Sequence, residues 1–134
     1  MPFVRHSGVR TLTLTPGHVV CEMPSEGNIN HIGTMYAGAL FSSAEFSGGP
    51  LMLATYGTTR FIPVVTSPDM EFVKAARTDV RIELSLAADD AERIEHETLA
   101  GGQAKFDLLG ELVNDAGDTV ARRHARYQMR PRRK

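Results

Sequence analysis

The sequence predicts an α+β domain: a curled antiparallel β-sheet of about six strands wrapped around one long central helix. Three observations predict it. Period-two alternation of apolar residues marks strands both before and after a central segment. That segment, 35–55, is rich in Ala, Leu, Met and Ser, too long for one strand, and apolar nearly all round, which marks a buried helix. The later strands follow one another through short turns, which implies antiparallel pairing, and a sheet must curl to cover so apolar a helix.

The elements follow in order. Leu12 and Leu14 alternate with threonines, Pro16-Gly17 marks a turn, and Val19, Cys21 and Met23 alternate again, so the chain opens with a hairpin. Residues 24–30 read as loop. Thr34 is placed to cap the helix, and Gly48-Gly49-Pro50 should bend or locally thin it. After Gly57, residues 61–65 are β-branched and aromatic, and Met70, Phe72 and the Lys74 stem share a face. Residues 79–86 alternate without a fault. Phe106 and Leu108 alternate before an expected bulge at Gly110, Leu112-Val113 continues the strand, and residues 114–117 turn into a last strand over 120–129. No internal repeat or linker is visible, so residues 1–134 are expected to form a single domain with a basic tail over about 130–134.

Composition narrows the function. The 134 residues are 42% hydrophobic and 23% charged, the profile of a soluble globular protein. With no Trp and nine Phe and Tyr, a nucleic-acid stacking platform is not expected. Net charge is −1, but seven of the fifteen bases lie in residues 121–134, which contain no acid. The tail reads first as a solvated terminal strand with a frayed end, and a basic tail can also attract phosphates. One cysteine, Cys21, allows no internal disulfide and suits a reducing compartment. The start lacks a signal-peptide core, and Glu45 and Gly48-Gly49-Pro50 interrupt the most apolar stretch, so a cytoplasmic protein without membrane contact is expected. The five scattered histidines and lone cysteine offer no metal site. Neither Gly48-Gly49 nor Gly101-Gly102 has the companions of a phosphate-binding loop.

Glu45 carries the chemistry. It is the only formally charged side chain from His31 to Tyr56. A carboxylate inside a buried helix is costly without partners, and one kept in a cleft suits a general base or a nucleophile. From position alone, an exposed stripe or a helix contact explains it equally well. Ala37, Phe41, Glu45 and Gly49 fall on one helix face. Ala37 lies in the first turn, where an N–H without an intrahelical partner can hold a carbonyl oxygen as negative charge develops. Ala37, Gly38 and Ala39 are small enough to let a substrate approach, and Asn30 offers an amide at the helix entrance.

The run Asn30-His31-Ile32-Gly33-Thr34-Met35-Tyr36-Ala37-Gly38-Ala39-Leu40-Phe41-Ser42-Ser43-Ala44-Glu45 resembles the helix motif of the hotdog-fold acyl-CoA thioesterases of the phenylacetate-pathway type. That motif runs asparagine, Gly-Thr, His-Gly-Gly, then an acid. Here Tyr36 replaces the histidine and Ala37 the oxyanion-hole glycine. The run 66–76 resembles the strand that follows, with Ser67 where some members keep a water-positioning hydroxyl.

The resemblance implies the hotdog fold and hydrolysis of an acyl thioester between two subunits of a homodimer or homotetramer. CoA enters as part of the substrate, with no cofactor or metal. Ala37 would supply the oxyanion N–H, and Glu45 of the facing subunit would be base or nucleophile. Asn30 and Ser67 would orient water or the thioester. Tyr36, Gly38 and Phe41 would contact the substrate, and Lys74, Arg77 and the basic last strand are candidates for the CoA phosphates. Two alternatives stand beside this. One is a non-catalytic acyl-CoA-binding hotdog module. The other is a hydroxyacyl dehydratase, with His31 removing the α-proton and Glu45 protonating the leaving hydroxyl. The dehydratase lacks its expected proline in residues 32–38.

Overall fold

A computed structural model of the chain describes residues 1–133. Its elements are α1 (Pro2–Ser7), β1 (Arg10–Thr15), β2 (His18–Met23), α2 (Ala37–Tyr56), β3 (Phe61–Phe72), β4 (Val80–Ser85), α3 (Ala88–Gly101), β5 (Ala104–Val113) and β6 (Thr119–Pro131). The six strands form one antiparallel sheet in the order β1-β2-β4-β5-β6-β3. Strands β1 and β3 are its edges, and α2 packs against strands from across its width. This is the hotdog arrangement expected from the element order.

The β1–β2 hairpin turns at Pro16-Gly17. Gly17 has φ 78°, and a Cβ there would also meet the Leu86 carbonyl oxygen at 2.7 Å, so glycine is required twice over. Inward residues alternate as read: Val19, Cys21 and Met23 on β2, Val80, Ile82 and Leu84 on β4, and Phe106, Leu108 and Leu112 on β5 are all buried. They close around Leu40, Ala44, Leu51 and Met52 of α2. A fully buried leucine such as Leu51 contributes roughly 1.5–3 kcal/mol by leaving water.

Helix α2 buries hydroxyls without leaving them unsatisfied. Ser43 Oγ donates to the Leu40 carbonyl at 2.9 Å, Ser47 Oγ to that of Ser43 at 2.6 Å, and Thr55 Oγ1 to that of Leu51 at 2.7 Å. The helix runs on through Pro50 and stops at Gly57, whose N–H donates to the Leu53 carbonyl at 2.8 Å.

Several expectations are corrected. Helix α3 was not foreseen; it interrupts the chain between two neighbouring strands and seals one end of the core with Ile94 and Thr98. Helix α2 starts two residues later than read, at Ala37. Thr34 does not cap it, because its hydroxyl is engaged with the Asn30 side chain. The segments read separately around 61–65 and 70–72 are one strand, kinked where Thr66 drops out of register. Gly110 is not a bulge: it pairs in register with Arg123, and the irregularity lies between Leu112 and Val113. A Cβ at Gly110 would meet Leu84 Cδ2 at 2.6 Å, so the glycine is there for close packing. The basic tail is shorter than expected, since β6 reaches Pro131; Lys134 lies outside the described residues.

Candidate active site at the start of helix α2

The chain before α2 is tied down by its own backbone. The Tyr36 N–H donates to the Asn28 carbonyl at 2.8 Å and the Met35 N–H to that of Ala76 at 2.7 Å. Asn30 closes the preceding turn: its Oδ1 accepts from the Ile32 and Thr34 N–H groups at 3.0 and 3.1 Å, and its Nδ2 donates to Thr34 Oγ1 at 3.1 Å. The asparagine thus fixes the loop that aims the helix, and its amide is committed there.

Tyr36 is the N-cap residue, extended at φ −55° and ψ 133°, and makes no side-chain cap. Among the described residues the N–H of Ala37 has no hydrogen-bond partner, and Ala37 itself is exposed. The Tyr36 ring, 62% exposed, folds over Gly38, where a Cβ would collide with it. Ala37 opens into a cleft of about 310 Å³ with Asn30, Leu40, Phe72 and Lys74. The structure therefore brings Asn30, Ala37 and Lys74 together. Lys74 is not free: its Nζ sits 2.7 Å from Asp118 Oδ2. That ion pair holds the Asp118 carboxyl below its ordinary value, chiefly through the hydrogen bond from Lys74.

Glu45 lies on the same stripe two turns further on. It shares a narrow gap with Phe41, Val65, Met70 and Arg123, between α2 and strands β3 and β6. Within one chain its side chain is exposed, the placement on an open stripe that position alone left standing beside burial in a cleft. The helix is apolar enough to be covered on nearly every face, but β3 is the sheet's last strand and leaves this side open. Ser67 does not join the gap. It pairs with Arg126, whereas the inward positions of β6 are Arg123, Ala125 and Tyr127, so the kink at Thr66 turns Ser67 to the outer face. Arg77 is exposed and makes no ion pair among the described residues. His31 is also exposed and lines neither cleft.

Arg123 was missed by the sequence reading. It is only 4% exposed, on the inward side of β6 between Ala121 and Ala125. One guanidinium nitrogen, Nη2, donates to the Tyr127 hydroxyl; the other, Nη1, is buried with no partner. Burial pushes the Tyr127 phenol above its ordinary value, against the opposing pull of Arg123. Tyr127 stacks on Phe106 and fits only because Gly48 leaves room on the helix above it. The signal was legible: in the alternating register of Ala121, Ala125, Tyr127 and Met129, an arginine occupies an apolar position.

Comparison with known proteins agrees with this architecture. The fold and the open helix mouth define a hotdog domain of the kind found in thioesterase-like proteins. Residues 1–129 match the family described as a domain of unknown function, DUF4442, and the chain belongs to that family. The Pseudomonas aeruginosa protein PA5026, described as of unknown function and a probable thioesterase, is 41% identical. The match covers 98% of this chain and 89% of that one, with a TM-score of 0.95. A Chlorobaculum tepidum protein of unknown function is 17% identical over 98% of this chain and 88% of its own, with a TM-score of 0.87. A Shewanella oneidensis protein provisionally called a thioesterase is 18% identical over 98% and 90%, with a TM-score of 0.81. These last two show a shared fold. No curated protein matches the chain. No helix among the described residues is long and apolar enough to cross a membrane.

Proposed function

We propose that the protein hydrolyses an acyl thioester, with acyl-CoA as the substrate class, in a cleft formed between two copies of the chain. The observation that carries this reading is the free Ala37 N–H at the start of α2, with Glu45 on the same helix face. Eight residues of helix separate them by roughly 12 Å, too far to act on one carbonyl. Two copies related by a two-fold axis, with β3 beside β3 and the helices antiparallel, would bring each Glu45 toward the other copy's Ala37. That arrangement would also cover the open edge of β3 and enclose the exposed carboxylate.

In this site the thioester carbonyl oxygen would accept from the Ala37 N–H, reinforced by the positive end of α2. Glu45 would take a proton from water as the oxygen adds to the carbonyl carbon. Collapse of the adduct breaks the C–S bond, and the thiolate recovers the proton. Direct attack by Glu45, followed by hydrolysis of the anhydride, gives the same products. Tyr36 and Phe41 would flank the acyl group. Lys74 could exchange its exposed Asp118 partner for a CoA phosphate at little cost, with Arg77 and the arginines of β6 nearby on the surface. The description of PA5026 as a probable thioesterase supports the reaction class.

The test is thiol release from short-chain, long-chain and aromatic acyl-CoAs. Glu45→Ala should lower kcat by about 10²–10⁴-fold, the usual weight of a general base. Equal rates in both proteins would remove Glu45 from the reaction. A second reading, retention of acyl-CoA without hydrolysis, has one observation in its favour. The Asn30 amide is committed to its own turn and Ser67 faces away, so neither is placed within one subunit to orient water. Recovery of bound acyl-CoA intact after prolonged incubation would establish that reading in place of the first.

A further inference from the structure

We infer that Arg123 is the positioning residue for Glu45: its free Nη1 is the docking point onto which the Glu45 carboxylate swings from the rim of the gap. The inference rests on the proposed hydrolysis for its catalytic meaning, but the pairing itself is a property of the fold. A buried guanidinium nitrogen without an acceptor is costly, more so than a neutral donor in the same position. Native structures rarely leave such a group orphaned without a reason.

Few acceptors can reach it. The titratable and charged groups around the gap are Glu45 from α2, Asp69 from β3, and Arg123 and Tyr127 from β6. A second cavity that Arg123 borders, on the outer side of the sheet, adds Glu71, Glu111, Arg122 and His124, of which Glu71 and Glu111 are paired with Arg122 and His124 with Asp107. Tyr127 already accepts from Nη2. Asp69 pairs in register with His124, on the side of the sheet away from Arg123. The remaining lining, Phe41, Ala44, Val65, Pro68, Met70 and Ala125, is apolar. That leaves Glu45, which makes no ion pair among the described residues and is exposed, free to change rotamer. Docking would satisfy Nη1, fix the carboxylate against the helix and favour its ionised form, the one able to take a proton from water. Tyr127, packed under Gly48, holds the guanidinium at that level of the helix.

The experiment combines two readouts on wild type, Glu45→Gln, Arg123→Met, Arg123→Lys and the Glu45→Gln/Arg123→Met double variant. In the pH profile of kcat/KM with an acyl-CoA, Arg123→Met should move the acid limb up by about one to three pH units. Arg123→Lys, which keeps a cation, should move it less. In urea unfolding at neutral pH, the loss caused by Glu45→Gln should disappear in the Arg123→Met background. An unmoved acid limb together with strictly additive stability losses overturns the inference while leaving hydrolysis by Glu45 intact. If no variant hydrolyses a thioester, the proposed function fails and the stability cycle alone decides the pairing: non-additivity sustains it and additivity overturns it. Should Arg123→Met not fold, exchange of the Arg123 guanidinium protons by NMR serves instead, with Arg123 unchanged. Faster exchange in Glu45→Gln than in wild type supports the pair, and equal exchange overturns it.

Discussion

At Gly48 a side chain from the sheet presses against the backbone of the helix. Any side chain there would strike the Tyr127 hydroxyl and ring, which are themselves fixed by Phe106 and Arg123. Gly48→Ala should therefore destabilise the fold by about 1–3 kcal/mol in urea unfolding, despite alanine's better helix propensity. Gly49, the next residue, faces open space, and Gly49→Ala should be neutral or stabilising in the same assay. The pair Gly48-Gly49 was visible in the sequence, but which of the two mattered depends on what lies opposite. Glu22 teaches the same lesson. It sits on the outer face of β2, opposite Val19, Cys21 and Met23, where strand alternation alone argues for a solvated residue, yet it is buried, held between Arg81 and Arg10. The hydrogen bond from Arg81, then that from Arg10, keeps its carboxyl below the ordinary glutamate value. A lowered folded value means stability present above the unfolded value and lost as pH falls through the folded one. Glu22→Gln should thus be less stable than wild type at pH 7. The difference should shrink as the pH falls below the ~4.3 of an unfolded glutamate.

Helix α2 and the strands around it were legible because their patterns are set locally. Apolar alternation on β2, β4 and β5 leaves little choice of face, and a 20-residue stretch of helix formers exceeds any reasonable strand. The register of Ser67 was not legible, because one unpaired residue, Thr66, reverses every face after it. Helix α3 escaped for another reason: it is mostly polar, and only Ile94 and Thr98 are fully buried, with Ala91 partly packed against the core. Its acidic first turn, Asp89-Asp90, and its left-handed Gly102 were nonetheless proper start and stop signals. The position of Ala37 offers a clean test of the oxyanion role. Proline is well tolerated as the first helical residue, and Tyr36 before it is already extended. Ala37→Pro should keep the fold, measured by circular dichroism, yet remove the N–H and lower kcat by about 10²–10³-fold. An unchanged kcat would place the carbonyl elsewhere.

The assembled protein is the unit in which the site would work. The clefts at Ala37 and Glu45 open beside β3, the free edge of the sheet, and in the proposed dimer a second copy would complete them. Pro63 and Val65, partly buried on the helix side of that strand, and the exposed Phe41 and Leu53 on the helix border this side. Sedimentation should therefore give a dimer or a larger even assembly. Mixing Ala37→Pro with Glu45→Ala under conditions that exchange subunits should restore activity that neither has alone. Random exchange at equal amounts predicts about a quarter of the wild-type rate, since each mixed two-fold pair holds one intact site. No recovery despite verified exchange would mean that both groups act within one chain.

The sealed position of Cys21 makes the protein well suited to such measurements. As the sole thiol, with its sulfur fully enclosed between sheet and helix, it is out of reach of a disulfide dye while the fold is intact. A chromogenic reagent that counts liberated coenzyme should then see almost no background from the enzyme itself. The same reagent, added without substrate across a denaturant series, would colour in proportion to the molecules that have opened, so one cuvette chemistry reports both turnover and unfolding.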